Sequence, residues 1–285
     1  MPSRSLTIAA LAAQLLWLAA PATPAAAQQA TGTRIDAIRY ATIRDFPLSG
    51  LVMGAPRDER IDIAMVIWLI RTDDRVVLFD TGFHRERWRE AFDIADFVPP
   101  DSAVRIADLD PRDVTDVIIS HAHWDHMGGI DRFPNAMLHI QKDEYAYYTG
   151  EAWQEGGRNG GIDEADILEL VRRNTVGQVN LVDGDDVEIL PGIRAYTGAR
   201  HTFASQYIRV DGPPAFVLAS DNCYLYHNLE HRLPGATFLA EDREANVAAL
   251  RRMIELAGSA DRVVPGHDPL QFERFRGEGR VARIR

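Results

Sequence analysis

The chain offers almost no sulfur chemistry. Among its 285 residues there is one cysteine, Cys223, so no intrachain disulfide can form even in an oxidising compartment, and this residue reads as a small buried apolar side chain. Lysine is nearly absent too: Lys142 stands alone, and arginine supplies the rest of the 31 basic side chains, a bias of the kind that genome composition produces. Against 42 acids the formal charge is 31 − 42 = −11, which argues against nucleic acid as a partner, because that binding needs a basic surface. After the first thirty residues no apolar run is long enough to span a bilayer. There is also no internal repeat and no low-complexity linker that would divide the chain. What remains, 46% apolar and 26% charged, is the composition of an ordinary globular protein with material for a sizeable core.

The first thirty residues are different. In MPSRSLTIAALAAQLLWLAAPATPAAAQQA, Arg4 precedes an apolar stretch from Leu6 to Ala20, and small residues end at Ala25-Ala26-Ala27. That order predicts a secretory signal peptide over residues 1–27, cut after Ala27, and an exported product, periplasmic or secreted, with no membrane span once the leader is gone. The apolar stretch falls short of the ~20 residues that would cross a membrane. Cleavage removes one arginine and no acid, so the charge becomes 30 − 42 = −12. Residues 28–285 are read as a single domain.

Within that domain, apolar runs at 61–70, 75–79, 114–119 and 215–219 predict strands buried on both faces. Polar clusters follow three of them, beginning at Asp80-Thr81-Gly82, at His121 and at Asp221, and the short pair Val263-Val264 leads in the same way into Pro265-Gly266-His267. Candidate chemistry therefore recurs at strand ends, where loops can present side chains to a cleft. Helices are expected over 241–257, with acids early and arginines later, and near 163–173. The second follows a glycine-rich stretch, and the region 150–177 reads either as a mobile insertion over a site or as a plain surface excursion.

The densest chemistry lies in VIISHAHWDHMGGIDRF, residues 117–133. In an extended segment side chains alternate, so His121, His123 and Asp125 can share one face, and a bend after Asp125 can bring His126 beside them. Four potential ligands in six positions at the end of a buried strand point to a metal site. Imidazole suits zinc, and a carboxylate among imidazoles widens the range to manganese or iron.

The spacing His-x-His-x-Asp-His, followed by Gly128-Gly129, resembles the metallo-β-lactamase superfamily. The resemblance extends over most of the chain, through Asp80-Thr81-Gly82, His201 in YTGARHT, Asp221, and His267 in VVPGHD. It implies an α/β fold, a four-layer αβ/βα sandwich. It also implies a centre of two divalent metal ions, zinc first and manganese, cobalt or iron as alternatives. His121, His123 and His201 would hold one ion, Asp125, His126 and His267 the second, and Asp221 would bridge them. Asp80 would stand behind the ligands and orient a histidine. The segment TGARHTFASQY is one residue longer before its histidine than the family pattern and lacks the downstream glycine and histidine, which makes His201 the weakest of the matches. His139, in AMLHI, reads as a packed strand histidine instead.

Tyr224, three residues after Asp221, matches a tyrosine found in the branch of this family that hydrolyses N-acyl homoserine lactones, where its hydroxyl stabilises a developing oxyanion. The resemblance thus implies a lactone-opening hydrolase, a quorum-quenching activity, in which a metal-bridging hydroxide attacks the carbonyl and Asp125 passes the proton to the leaving oxygen. Trp124 stands where similar lactonases carry an aromatic that lines the acyl pocket. Phe83, His84 and Met53 are candidate neighbours, with Phe46, Leu48 and Leu51 as weaker ones. The same scaffold also serves β-lactamases and other ester or thioester hydrolases. A metal-dependent binding protein without catalysis is the alternative of another class, and redox chemistry at a di-iron version of the site would need a flavin domain that this chain lacks. The expected partner is a small molecule, and the sequence leaves a homodimer open.

Overall fold

The central strands are buried on both faces, and successive side chains enter different layers. The computed structural model describes residues 32–285; the expected signal peptide lies outside the described residues. Among the described residues there are fourteen strands. The first seven are β1 (Arg34–Pro47), β2 (Arg60–Arg71), β3 (Val76–Phe79), β4 (Ile94–Ala95), β5 (Asp116–Ile118), β6 (Met137–Gln141) and β7 (Val179–Val182). The rest are β8 (Val187–Leu190), β9 (Ile193–Thr197), β10 (Gln206–Val210), β11 (Phe216–Ser220), β12 (Val263–Pro265), β13 (Arg276–Glu278) and β14 (Val281–Arg283). One sheet runs β13-β14-β1-β2-β3-β5-β6-β7, with β4 beside β1; the other runs β12-β11-β10-β9-β8.

Val77, Phe79 and Ile118 of the large sheet point between the sheets, where they meet Ile208, Leu218 and Val264 of the small one. Their neighbours Leu78, Val117 and Ile119 point the other way, toward Ala103, Val104, Ile167 and Leu170 on helices. On the small sheet, Val217, Ala219 and Val263 face outward to Leu250, Met253 and Ala257 of the helix Arg243–Ala257. Helices, sheet, sheet and helices thus make the four layers expected from the sequence. The expected strands appear at their predicted places, the third contracted to Asp116–Ile118. Of the helix expected over 241–257, the first turn is a 3-10 turn over Ala240–Asp242 and the α-helix starts at Arg243. The helix near 163–173 runs Glu164–Thr175, with the Asp163 side chain accepting from the Ala165 N–H at its start.

The pairing of strands decides where loops can meet. β3, β5, β6 and β7 are mutually parallel, as are β11 and β12, so their carboxyl ends open on the same edge. β9 and β10 are antiparallel, and their connection turns over at that edge too. The sheets are tied there: the Gln206 N–H donates to the Ser120 carbonyl at 2.8 Å and the Gln206 side chain to the Ile119 carbonyl at 2.7 Å. Among the described residues no helix is long and apolar enough to cross a membrane.

His139 is packed within β6, as expected. Asn180 can only donate to its Nδ1 (3.0 Å), so the Nε2–H donates to Asp116 (2.8 Å). Burial alone would raise the Asp116 carboxyl, but bonds from His139, Thr115 and Arg75 outweigh it and hold the group at about 2. A carboxyl depressed by folding adds stability that is present above its unfolded value and is lost as pH falls through the folded one. Asp116→Asn is therefore expected to cost about 2 kcal/mol at neutral pH. Denaturant titrations should show the gap from the parent closing between pH of about 4 and about 2; a gap that is constant with pH would place the cost in packing instead.

Candidate metal centre and active site

The edge shared by the two sheets carries every sequence-expected ligand. His121, His123, Asp125 and His126 follow β5; His201 lies between β9 and β10; Asp221 follows β11; His267 follows β12. Their side chains form two groups. His121, His123, His201 and Asp221 bring one donor atom each within 4.8 Å of one another, and Asp125, His126 and His267 do the same. In the first group, His123 Nδ1 stands 3.0 Å from both His121 Nε2 and His201 Nε2. Asp221 faces both groups with different oxygens: Oδ2 is 3.2 Å from His201 Nε2 and 3.8 Å from His121 Nε2, while Oδ1 is 3.0 Å from His267 Nε2 and 3.2 Å from His126 Nε2. Asp125 Oδ2 approaches His126 Nε2 at 3.3 Å.

The protons on the rings can be placed from their outer contacts. His267 Nδ1 lies 3.0 Å from the Ala64 carbonyl, which only accepts, so the ring donates there and turns an Nε2 lone pair toward Asp221. His126 Nδ1 meets Asp80 at 2.8 Å, which leaves its Nε2 in the same situation. His126 Nε2 and Asp221 Oδ1 are both buried and neither has a hydrogen-bond partner among the described residues. Lone pairs on buried nitrogens aimed at a buried carboxylate are unfavourable unless a cation lies between them. Seven nitrogen and oxygen donors in that relation suit divalent transition metals, so the residues fit a two-metal centre.

The electrostatics differ between the groups. Burial and the neighbouring imidazoles drive His121 well below the ordinary histidine range and His123 to about 3, which keeps their lone pairs available. Burial also opposes a charge on His126 and His267, but Asp125 and Asp221 outweigh it and raise both. In the second group the carboxylates therefore hold positive charge, a proton or a metal ion, between themselves and the rings.

Asp80 is the anchor behind the two donor groups. It accepts from the Ser120 N–H (2.7 Å), from Ser120 Oγ (2.8 Å), from Ser220 Oγ (2.9 Å) and from His126. Ser120 Oγ also contacts His121 Nδ1 at 2.8 Å. Asp80 and Ser220 adopt left-handed backbone conformations, φ 62° and 46°, a strain that non-glycine residues carry where the surroundings enforce it. Two strand ends are bent in this way to turn Asp80, Ser120 and Ser220 onto one point. Gly82, at φ 66°, could carry no side chain, since a Cβ there would lie 2.9 Å from the Tyr40 ring; the Tyr40 hydroxyl donates to the Asp125 carbonyl at 2.9 Å.

Tyr224 lies beside His201, its hydroxyl 3.1 Å from His201 Nδ1 and 2.6 Å from Thr237 Oγ1. If His201 Nε2 is the ligand, Nδ1 bears the hydrogen and donates to the tyrosine oxygen, so Tyr224 keeps its own proton to give away. Burial, reinforced by Asp221, raises its hydroxyl well above the ordinary tyrosine range, which maintains it as a donor.

A cavity of about 490 Å³ opens on His123 and His201. Its walls include Tyr147, Glu151, Arg158, Arg200, Phe203 and Thr237. Residues 150–177 thus supply part of one wall, and their backbone is tied to the site: the Trp124 N–H donates to the Gly161 carbonyl at 2.9 Å, and His123 bridges to Ile162.

None of the four expected pocket residues lines this cavity. Trp124 stacks against the neighbouring rings of Trp88 (4.9 Å) and Phe92 (5.0 Å), with the edge of Phe83 against it (4.5 Å). Phe83 has no exposed surface. His84 is turned to Asp131 and Arg132 at 2.9 Å each, and the Met53 N–H is bound to the Pro234 carbonyl. Leu48 and Leu51 belong to the same core, and Phe46 packs against it. Ser120, Ser220, Thr237 and Arg200 had no sequence signal of their own, because each acquires its place only through tertiary contact.

A family model described as the metallo-beta-lactamase superfamily matches residues 65–267. The N-acyl homoserine lactonase AttM of Azorhizobium caulinodans is 33% identical over 179 residues, which is 61% of this chain and 65% of that protein, just under two thirds of the relative's length. The N-acyl homoserine lactonase AiiB of Agrobacterium fabrum is 28% identical over 245 residues, covering 74% of this chain and 82% of that one. Among solved structures, a quorum-quenching N-acyl homoserine lactone lactonase superposes with a TM-score of 0.71 at 19% identity, over 87% of this chain and 98% of that chain, a likeness of fold. With a match that runs from β2 to the last histidine of the cluster, the chain belongs to the metallo-β-lactamase superfamily.

Proposed function

We propose that this protein opens the ring of a lactone, with N-acyl homoserine lactones as the first candidate substrates, and that it does so after export. The observation that carries the reading is the pairing of Tyr224 with His201 beside the cavity, next to an Asp221 that addresses both donor groups. The named activities of AttM and AiiB support the same substrate class. Export is supported by the leader-like order of residues 1–27 and would leave Gln28 as the first residue of the mature chain.

His121, His123, His201 and Asp221 would hold one divalent ion, and Asp125, His126, His267 and Asp221 the second. When bound, such ions supply Lewis acidity and a hydroxide nucleophile at neutral pH. The chain's own groups do the rest. Tyr224 donates its O–H to the carbonyl oxygen as water adds to the carbon and negative charge develops on that oxygen. The carbon to ring-oxygen bond then breaks and leaves an alkoxide. Burial would raise the Asp125 carboxyl, but His126 outweighs it and keeps it low, so Asp125 can take the proton released by the attacking water and return it to the alkoxide. The product is a hydroxy acid. Asp80, with Ser120 and Ser220, keeps His121 and His126 oriented throughout.

Tyr224→Phe is expected to lower kcat by roughly 10²- to 10³-fold, with KM and metal content close to the parent's. A variant with parental turnover would remove the oxyanion role, and one that has lost metal would show that Tyr224 serves His201 instead. Chelation should abolish hydrolysis and added zinc, manganese or cobalt should restore it, while Asp80→Asn should weaken metal retention by about 10- to 100-fold in chelator competition. Finally, an acyl homoserine lactone, an aryl ester and a cephalosporin compared side by side should rank in that order by kcat/KM. A preference for the cephalosporin would overturn the lactone assignment and leave the hydrolase standing.

A further inference from the structure

One buried acid near the centre has no part in the mechanism above. Glu144 begins the helix Lys142–Tyr148 after β6 and has no exposed surface. Its carboxylate reaches two different ligand loops. Oε1 accepts from the Ala122 N–H at 2.9 Å and from Thr202 Oγ1 at 2.7 Å, and Oε2 accepts from the Ala204 N–H at 2.6 Å. Ala122 is the residue between His121 and His123, and Thr202 follows His201. One side chain thus ties the backbone of all three imidazoles of the first donor group, across the gap between the two sheets.

The chemistry of these contacts calls for a carboxylate. Both oxygens accept from backbone N–H groups, which can only donate, and Thr202 adds a third donor, a set that favours the carboxylate, while burial opposes it and raises the group above the ordinary glutamate range. Among the described residues no lysine or arginine hydrogen-bonds to Glu144, whose partners are Ala122, Thr202 and Ala204. A buried anion without a counter-ion is costly, and a cation bound among the three histidines would be the compensation within reach.

We infer that Glu144 is a positioning residue for the centre: it sets the spacing of the two loops that carry His121, His123 and His201, and its unpaired negative charge strengthens cation binding there. The inference rests on the metal-centre reading and names a residue outside the expected ligand set. Glu144→Gln keeps the shape, removes the charge and turns an amide N–H₂ against one of the backbone donors. Thr202→Val deletes one bond and leaves the charge.

The test is uptake of zinc and cobalt by the apo-protein in competition with a chromophoric chelator, with circular dichroism matched to the parent, so that no substrate is involved. For Glu144→Gln, one of the two equivalents should weaken by at least about tenfold, with altered cobalt visible bands, and the other should stay within about twofold. Thr202→Val should weaken the same equivalent by a smaller factor. Parental affinity at both equivalents in Glu144→Gln would overturn the inference, as would equal weakening of both, which marks general loosening of the fold. Where Glu144→Gln does not fold, unchanged affinity at both equivalents in Thr202→Val overturns it. A parent that takes up no metal overturns the metal centre and this inference with it, whereas metal uptake without lactone hydrolysis touches only the proposed function.

Discussion

Everything at this site depends on one unfavourable arrangement: nitrogen lone pairs held against carboxylate oxygens inside the protein. His126 and His267 are committed through Nδ1 to Asp80 and to the Ala64 carbonyl, so both present Nε2 to Asp221 at 3.0 to 3.2 Å. Left alone, such a cluster would relax, take up protons or admit water. A rigid frame that preserves it suits a bound cation, whose binding free energy would be recovered from contacts that the fold otherwise has to tolerate.

The frame owes its rigidity to hydrogen-bonded acids rather than to the ligands. Asp80 collects donors from the segment after β5, from β11 and from the His-x-His-x-Asp-His turn, and Glu144 collects them from the two loops on the opposite side. The left-handed φ values at Asp80 and Ser220 are the cost of turning strand ends sharply enough for these contacts. Each costs on the order of 1–3 kcal/mol, which several charge-assisted bonds per carboxylate can offset.

How much of this was legible in the sequence follows from how far apart the cooperating residues lie. His121, His123, Asp125 and His126 fall within six positions, so local spacing alone announced a metal site. His201, Asp221 and His267 could be attached to it only through resemblance, because nothing in their own neighbourhoods says where β11 or β12 will bring them. The strands were readable from their apolar runs, which are buried on both faces in a four-layer sandwich. The pocket was not readable. Trp124 and Phe83 are large aromatics beside the expected ligands, a description that fits a substrate wall and a core equally well; the stacking of Trp124 on Trp88 and Phe92, more than thirty positions away, and the complete burial of Phe83 decided for core. Glu144 sits in a surface-like stretch, KDEYAYY, and gave no sign that its carboxylate would be wholly buried.

The division of donors between the sheets joins the core to the chemistry. The first group draws His121 and His123 from the large sheet and His201 and Asp221 from the small one; the second draws Asp125 and His126 from the large sheet and His267 from the small one. Neither group exists on a single sheet. The separation of the donors is therefore set by the residues that hold the sheets apart, Phe79 and Ile118 against Ile208, Leu218 and Val264, and by the Gln206 contacts that lock the edge. Interiors packed to crystalline density deform little, so donor distances are fixed by apolar side chains that touch neither substrate nor ligand. In this chain the inter-sheet core acts as the ruler of the candidate metal centre.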